Sequence, residues 1–343
     1  MRIGILCGER PGEINAIRDA SLCLAEALRA AGHSVEVLAE PADLTRYDLA
    51  LVQYNPFLYG RWGFAPGLVV ELWRLRLRRH RPRLAIVVHE PFVPMTGWRW
   101  TLMGLWQRAQ LAAACAACDL VFVTIEAWAK AISWMRPRRP TVHLPVGSNL
   151  PYRREAASSE RARLGADERT IVIATFGHRN GGRSPEHVSA AIAAIVAAGA
   201  RPMLVALGAD GGLPDLPESI PTDVPGRLSG EALSARVAAA DIFLAPFLAG
   251  LSTRRTSTMV ALQHGVAVIG TDGRMTDSVL RNARGLRLVP VERVDEFAAA
   301  AADLASNPEK REAIGRAGRA LYEERFDWPV IAARLLAAVE QDT

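Results

Sequence analysis

No apolar run in this sequence reaches the length of a bilayer span; the longest alanine-rich stretch is broken at Arg201-Pro202. No secretory leader is visible either, because Arg2-Ile-Gly-Ile-Leu-Cys7 runs straight into Gly8-Glu9-Arg10-Pro11. Both absences lead us to expect a soluble or at most peripheral protein. Cysteine is scarce: Cys7, Cys23, Cys115 and Cys118. Cys115-Ala-Ala-Cys118 has metal-like spacing, but no second pair or histidine cluster completes a zinc site. It lies in an alanine-rich helical run, where cysteine packs as a small apolar residue. Such cysteine usage fits a reducing cytoplasm. Internal repeats are missing, and no Asp-x-Asp pair, a common metal-binding spacing, is present. The loop after the first strand, with Gly8 and Gly12 four apart, is not a full Gly-x-Gly-x-x-Gly fingerprint.

What is present suits two globular domains. The 343 residues are half hydrophobic and 22% charged, which argues against disorder. The net charge is only +5, yet Arg74, Arg76, Arg78, Arg79, Arg81 and Arg83 crowd together. That run suits phosphate, an anionic membrane or nucleic acid, and equally a solvated helix end. It lacks the aromatic order of a nucleic-acid binder, so no nucleic acid is expected.

Short buried strands alternate with helices. Ile3–Cys7, a helix from about Asn15 to Ala31, and Ser34–Leu38 form one βαβ unit, which predicts a parallel sheet. Strands at Leu49–Gln53, Leu84–Val88, Leu120–Thr124 and Thr141–Leu144 complete a first half. A polar linker from Tyr152 to Arg169 follows the break at 145–151, and the pattern restarts at Thr170–Phe176. The expectation is an α/β chain of two Rossmann-like doubly wound domains. We divide it into 1–150 and 151–326, with a C-terminal helix over 327–343 packing back on the first domain. Pro329 would open that helix.

Ligands in open parallel sheets bind beyond the carboxyl ends of strands. That rule selects Gly12 and Glu13 in the first loop, and His89-Glu90-Pro91 after the strand ending at Val88. His89 is a candidate acid, base or hydrogen-bond donor; a plain polar cap of the strand is the competing reading. The rule also selects Gly177-His178-Arg179-Asn-Gly-Gly-Arg183, where glycines open the backbone and arginines supply charge. Finally it selects Leu251-Ser252-Thr253-Arg254-Arg255-Thr256-Ser257-Thr258, where a helix opens near Ser252 to Ser257. A helix start offers unpaired N–H groups and partial positive charge to an anion. Trp98-Arg-Trp-Thr-Leu-Met-Gly-Leu-Trp106, with Trp62, Trp73 and the arginine run, suits an interfacial helix at a membrane surface. Core tryptophans beside a solvated basic helix are the alternative.

These loops, in this order, resemble the GT-B glycosyltransferases of the large retaining class that use nucleotide sugars. Gly32-His33-Ser-Val-Glu-Val-Leu38, Val88-His89-Glu90, Val123-Thr-Ile-Glu126-Ala and Leu144-Pro-Val-Gly147-Ser-Asn resemble that class's first-domain motifs. Phe176-Gly177 with Arg183, Val224-Pro-Gly-Arg-Leu-Ser-Gly-Glu-Ala-Leu233 and Ala239-Ala-Asp241-Ile-Phe-Leu-Ala-Pro246 resemble those of the second. In the class, a basic residue and a lysine meet the donor diphosphate; His178 and Arg183 stand at those places. The class also carries two glutamates eight residues apart, and here Ser252 and Val260 occupy them. The arginine-rich loop resembles a variant branch that lacks both.

The resemblance implies a retaining hexosyltransferase-type enzyme whose two domains face each other across a cleft. A nucleoside diphosphate sugar would be bound by Gly12, Glu13, Gly177, His178, Arg179, Arg183 and residues 252–257, namely Ser252, Thr253, Arg254, Arg255, Thr256 and Ser257. The acceptor would be a glycan, lipid-linked or small molecule, in polysaccharide or glycolipid synthesis. The implied location is cytoplasmic, with peripheral contact at the inner face of an anionic membrane. No cofactor and no metal is implied. A non-catalytic nucleotide-binding or scaffold protein and a sugar-nucleotide epimerase of the same fold are the alternatives.

Overall fold

The computed structural model describes residues 1–8, 15–40, 44–135, 140–176, 182–208 and 214–341. The chain divides into two compact units, one of Met1–Val146 with Trp328–Thr343 and one of Gly147–Asp327.

The first unit holds strands β1 (Arg2–Leu6), β2 (Ser34–Leu38), β3 (Leu49–Tyr54), β4 (Arg83–Val88), β5 (Leu120–Val123) and β6 (Val142–His143). Helices α1 (Ala16–Ala30), α2 (Pro66–Arg76), α3 (Trp98–Ala117) and α4 (Glu126–Ile132) connect them. All pairings are parallel, in the order β2-β1-β3-β4-β5-β6. Every residue of β3 is buried, as a strand covered by helices on both faces requires. The period-2 alternation sorts its side chains. Leu49 and Leu51 pack with α1, whereas Ala50, Val52 and Tyr54 pack with α2 and α3. The last strand is only two residues long, cut short between Pro140 and Pro145.

The second unit runs α5 (Ala157–Arg163), β7 (Thr170–Phe176), α6 (Pro185–Ala197), β8 (Arg201–Leu207), β9 (Thr222–Asp223), α7 (Gly230–Ala238) and β10 (Ile242–Ala245). It continues with α8 (Thr256–Gln263), β11 (Ala267–Asp272), α9 (Ser278–Arg281), β12 (Arg287–Pro290), α10 (Val294–Ser306) and α11 (Pro308–Arg325). Its sheet is again fully parallel, in the order β12-β11-β10-β7-β8-β9. Strand order reverses between β7 and β10, the place in an open parallel sheet beyond which ligands bind.

Helix α12 (Trp328–Glu340) returns to the first unit. Ile331, Leu335 and Val339 join Leu24 and Leu28 in one core, and the Arg83 guanidinium donates to the Val339 carbonyl. The Cys115 and Cys118 side chains are buried core residues of the first unit, both free thiols. Burial pushes the Cys115 thiol up to about 12 and that of Cys118 well above its ordinary value, which makes both poor nucleophiles. Part of the arginine run is structural as well: Arg76 and Arg81 both pair with Asp119.

Candidate functional site

The second unit concentrates its chemistry at the strand-order reversal. Leaving β7 and β10, the two loops zip together in an antiparallel bridge between Arg183 and Phe247. Ser184 N–H donates to the Pro246 carbonyl at 2.9 Å, and Leu248 N–H to the Gly182 carbonyl at 2.7 Å. This pairing delivers the Arg183 side chain to the head of α8. There it donates to Ser257 Oγ at 3.4 Å.

Phe247 is the hub. Its ring is buried, and two guanidinium groups rest against it, Arg183 at 4.7 Å and Arg255 at 4.2 Å from the centroid. Cation–π contact lets one buried ring hold two guanidinium groups at the head of α8. Among the described residues no carboxylate forms a salt bridge with Arg183, and burial lowers its guanidinium from the ordinary 12.5 to about 10. Arg183 therefore stays charged near neutral pH while partly stripped of water. That is the state of a cation arranged for an anion.

Helix α8 begins at Thr256, within the 252–257 span read as its opening. The reason lies in the preceding turn. Gly250 has φ +89, and a Cβ there would sit 2.3 Å from Thr276 Oγ1 and 2.5 Å from the Gly273 nitrogen. Only glycine permits this approach. Residues 252–255 then form a turn pinned from beneath: Thr253 N–H and Thr253 Oγ1 both donate to Asp277 Oδ2, at 2.8 and 2.9 Å. Asp277 is itself buried. Leu251 N–H donates to the Thr271 carbonyl at 2.8 Å, and Met275 N–H to that of Ala249 at 2.8 Å.

The sequence-derived residues thus separate into two groups. Ser252 and Thr253 are buried and hold the loop, with the Thr253 hydroxyl turned onto Asp277. Arg254, Arg255, Thr256 and Ser257 are half-buried around the helix head. The Thr256 and Ser257 N–H groups precede the first helical bonds, which Thr258 and Met259 N–H donate to the Arg255 carbonyl. Arg255 stands at the N-cap, and its side chain does not cap the helix. Val260, one of the positions where the resembled class has glutamate, is buried inside α8. Gly177, His178 and Arg179 lie outside the described residues. Asp277 and Phe247 were missed by the sequence reading, although a lone aspartate followed by Ser278 was a legible helix-start signal.

In the first unit, His89 sits at the end of β4. Its N–H donates to the Tyr54 carbonyl at 2.9 Å, and its own carbonyl accepts from Trp128 Nε1 at 2.8 Å. Nε2 lies 2.7 Å from Gln53 Oε1. The ring is thereby fixed and largely buried. It borders a cavity of about 20 Å³ that Ser21, Gln53 and Thr124 also line, roughly the room of one water. Gly12 and Glu13 lie outside the described residues. Among the described residues, no group of three or more His, Cys, Asp or Glu side chains is gathered to hold a metal ion. Likewise no described helix is long and apolar enough to cross a membrane.

Known structures share this architecture over nearly the whole chain. Sucrose-phosphate synthase of Thermosynechococcus elongatus superposes with a TM-score of 0.71 at 15% identity, covering 99% of this chain and 98% of that one. HepE of Anabaena in complex with UDP gives 0.70 at 14% identity, covering 99% and 100%. Trehalose 6-phosphate synthase of Burkholderia multivorans gives 0.64 at 12% identity, covering 99% and 96%. The chain accordingly has the GT-B fold of these glycosyltransferases. In sequence it is similar to a GDP-mannose-dependent monoacylated alpha-(1-6)-phosphatidylinositol monomannoside mannosyltransferase of Corynebacterium glutamicum, 29% identical over 216 residues. That match takes in 58% of this chain and 56% of the relative's length. No family model matches the chain.

Proposed function

We propose that this protein is a glycosyltransferase that moves a sugar from a nucleoside diphosphate sugar to a glycan, lipid-linked or small-molecule acceptor. The observation that carries the reading is the meeting of Arg183, Arg255 and the head of α8 around Phe247, at the strand-order reversal of a GT-B second unit. A diphosphate leaving group develops negative charge as the glycosidic bond breaks. Guanidinium forks and helix N–H groups fixed beforehand stabilise that charge without reorganising. Arg183, Arg255 and the N–H groups of Thr256 and Ser257 fill this role here, with Arg254 adjacent. Gly177, His178 and Arg179 belong to the same binding site in this reading. His89, with Gly12 and Glu13, serves the sugar and acceptor side.

The sequence relative acts on GDP-mannose, and HepE is known with UDP and with UDP-glucose; both support a nucleotide-sugar donor. Retention at the anomeric carbon and independence from added metal rest on the resemblance to the retaining class. In this reading arginine supplies the charge that magnesium supplies elsewhere. The sparse cysteine usage, with Cys115 and Cys118 packed as core residues, supports a reducing, cytoplasmic setting.

Titration calorimetry with GDP, UDP and dTDP sugars, followed by a donor-turnover assay with and without chelator, tests the reading. We expect one donor to bind and turn over, with chelator making no difference. Ser252 and Val260 at the usual glutamate positions favour a second reading, a non-catalytic nucleotide-binding protein. Tight donor binding with neither hydrolysis nor transfer would support that reading instead. Acceptor-free conversion of the donor sugar would indicate an epimerase.

A further inference from the structure

The first half of α3 carries large apolar side chains outward, while its second half packs Leu111, Ala114 and Cys115 into the core. Along one side, Trp98, Leu102 and Leu105 follow at i, i+4 and i+7 spacing and all face solvent, Trp98 at 71% exposure. On the opposite side, Gln107 and Gln110 are buried, Gln107 completely. A water-facing helix normally arranges these residue types the other way round. The buried glutamines have a definite task. Gln107 Nε2 donates to the Trp62 carbonyl at 3.2 Å, Gln110 Oε1 accepts from Ala65 N–H at 2.7 Å, and Gln110 Nε2 donates to the Gly63 carbonyl at 3.3 Å. Together they clamp the 61–65 turn onto the helix.

That turn carries more apolar surface outward. Trp62 is 62% exposed, and Phe64 packs edge-on to Trp106 with centroids 6.2 Å apart while remaining exposed. Trp62 has φ 58, and it is the one non-glycine among the described residues with a positive φ. Left-handed backbone is disfavoured for a bulky side chain, so the surrounding bonds hold this tryptophan outward against its own preference.

The charged residues of the turn and of the outward stretch of α3 are arginines, with Glu71, Glu90 and Asp119 just beyond these segments. Residues 56–70 and 91–118 contain Arg61, Arg99 and Arg108 and no aspartate or glutamate. Arg61 and Arg99 lie over the rings of Trp62 and Trp98, at 5.4 and 5.1 Å. Amphipathic indoles beside cations suit the headgroup layer of an anionic bilayer, where rings enter the interface and guanidinium groups meet phosphates.

We propose that the outer face of α3 and the 61–65 turn form a docking surface for an anionic lipid bilayer. The loop from His89 to Gly97 leads directly into α3, so docking would hold the acceptor side of the first unit at the membrane. This inference deepens the acceptor part of the proposed function and is tested apart from the donor site.

Flotation of the full chain with phosphatidylglycerol-containing vesicles, against pure phosphatidylcholine, tests it. The variants are W98Q/L102Q/L105Q and R61Q/R99Q, with GDP and UDP titrations run on the same samples. We expect the wild type to float with anionic vesicles at low salt and the triple variant to lose about tenfold in partitioning. High salt and the arginine variant should each weaken binding, while nucleotide affinity stays unchanged. Quenching of tryptophan fluorescence by brominated lipid provides a readout on the wild type alone. No flotation at low salt, no quenching, or a triple variant that partitions like the wild type would overturn the proposal. So would a sedimentation profile showing a dimer that the triple variant disrupts without any vesicle binding; the face would then belong to a second copy. Failed nucleotide binding with intact flotation would count against the donor reading alone.

Discussion

Arg183 offers the sharpest test, because a structural arginine and a ligand-binding arginine predict opposite outcomes. In the free protein its guanidinium is held against Phe247 and Ser257 with burial lowering it from 12.5 to about 10. At about 1.4 kcal/mol per tenfold change in proton affinity, that drop corresponds to roughly 3 kcal/mol of lost hydration. The contact with the Phe247 ring returns about 1–2 kcal/mol. Replacing Arg183 by alanine should therefore leave the melting temperature unchanged or slightly raised. Binding should suffer: a charge-assisted hydrogen bond to phosphate is worth about 1.5–3 kcal/mol, so Kd for the nucleoside diphosphate should rise roughly 10- to 150-fold. Arg183→Lys keeps the charge but loses the fork, and should fall between wild type and alanine. Calorimetric titration and differential scanning calorimetry give both quantities from one preparation. A melting temperature lowered by several degrees with an unchanged Kd would refute the reasoning. Arg183 would then be a pin between the β7 and β10 loops.

Three further outcomes follow from the same loop and its surroundings. Asp277→Asn removes the charge from both bonds to Thr253; it should cost about 1–2 kcal/mol in urea unfolding and weaken donor binding several-fold, and an unaltered donor Kd would show that the turn holds its shape without it. Gly250→Ala places a Cβ against Gly273 and Thr276 at φ +89; a loss of at least about 2 kcal/mol is expected, and wild-type stability would mean that the loop relaxes freely. Burial lowers the pKa of both His187 and His264. Near and below about pH 6.5 the unfolded chain binds protons that these folded histidines refuse, so stability should be full above that pH. It should fall on acidification by at most about 1.4 kcal/mol per pH unit for each histidine, and denaturation free energies that rise between about pH 7 and pH 5 would contradict this.

The α/β pattern was legible in the sequence because parallel strands buried on both faces leave short apolar runs, such as 49–54 and 170–176, between amphipathic helices. Turn chemistry was less legible. The crowded hydroxyls of 252–258 located the helix start to within a turn, but not that Ser252 and Thr253 belong to a turn held by Asp277, a residue more than twenty positions away. The tryptophans of α3 were ambiguous for a related reason. Their spacing marks a stripe but not the side to which it turns, and the buried glutamines that settle this bond to backbone some forty residues earlier.

Local physics in the sequence determined the strands, the helices, the parallel connections and the loops at strand ends where an anion would be met. Only the tertiary structure decided which of those loops meet. The strand-order reversal in the second unit brings 182–184 against 246–248, so that Phe247, inconspicuous in the sequence, carries two arginines. Periodicity records whether a residue faces in or out along its own element. Which cations converge on one ring depends on the order of strands across the sheet, and that order is fixed by long-range packing.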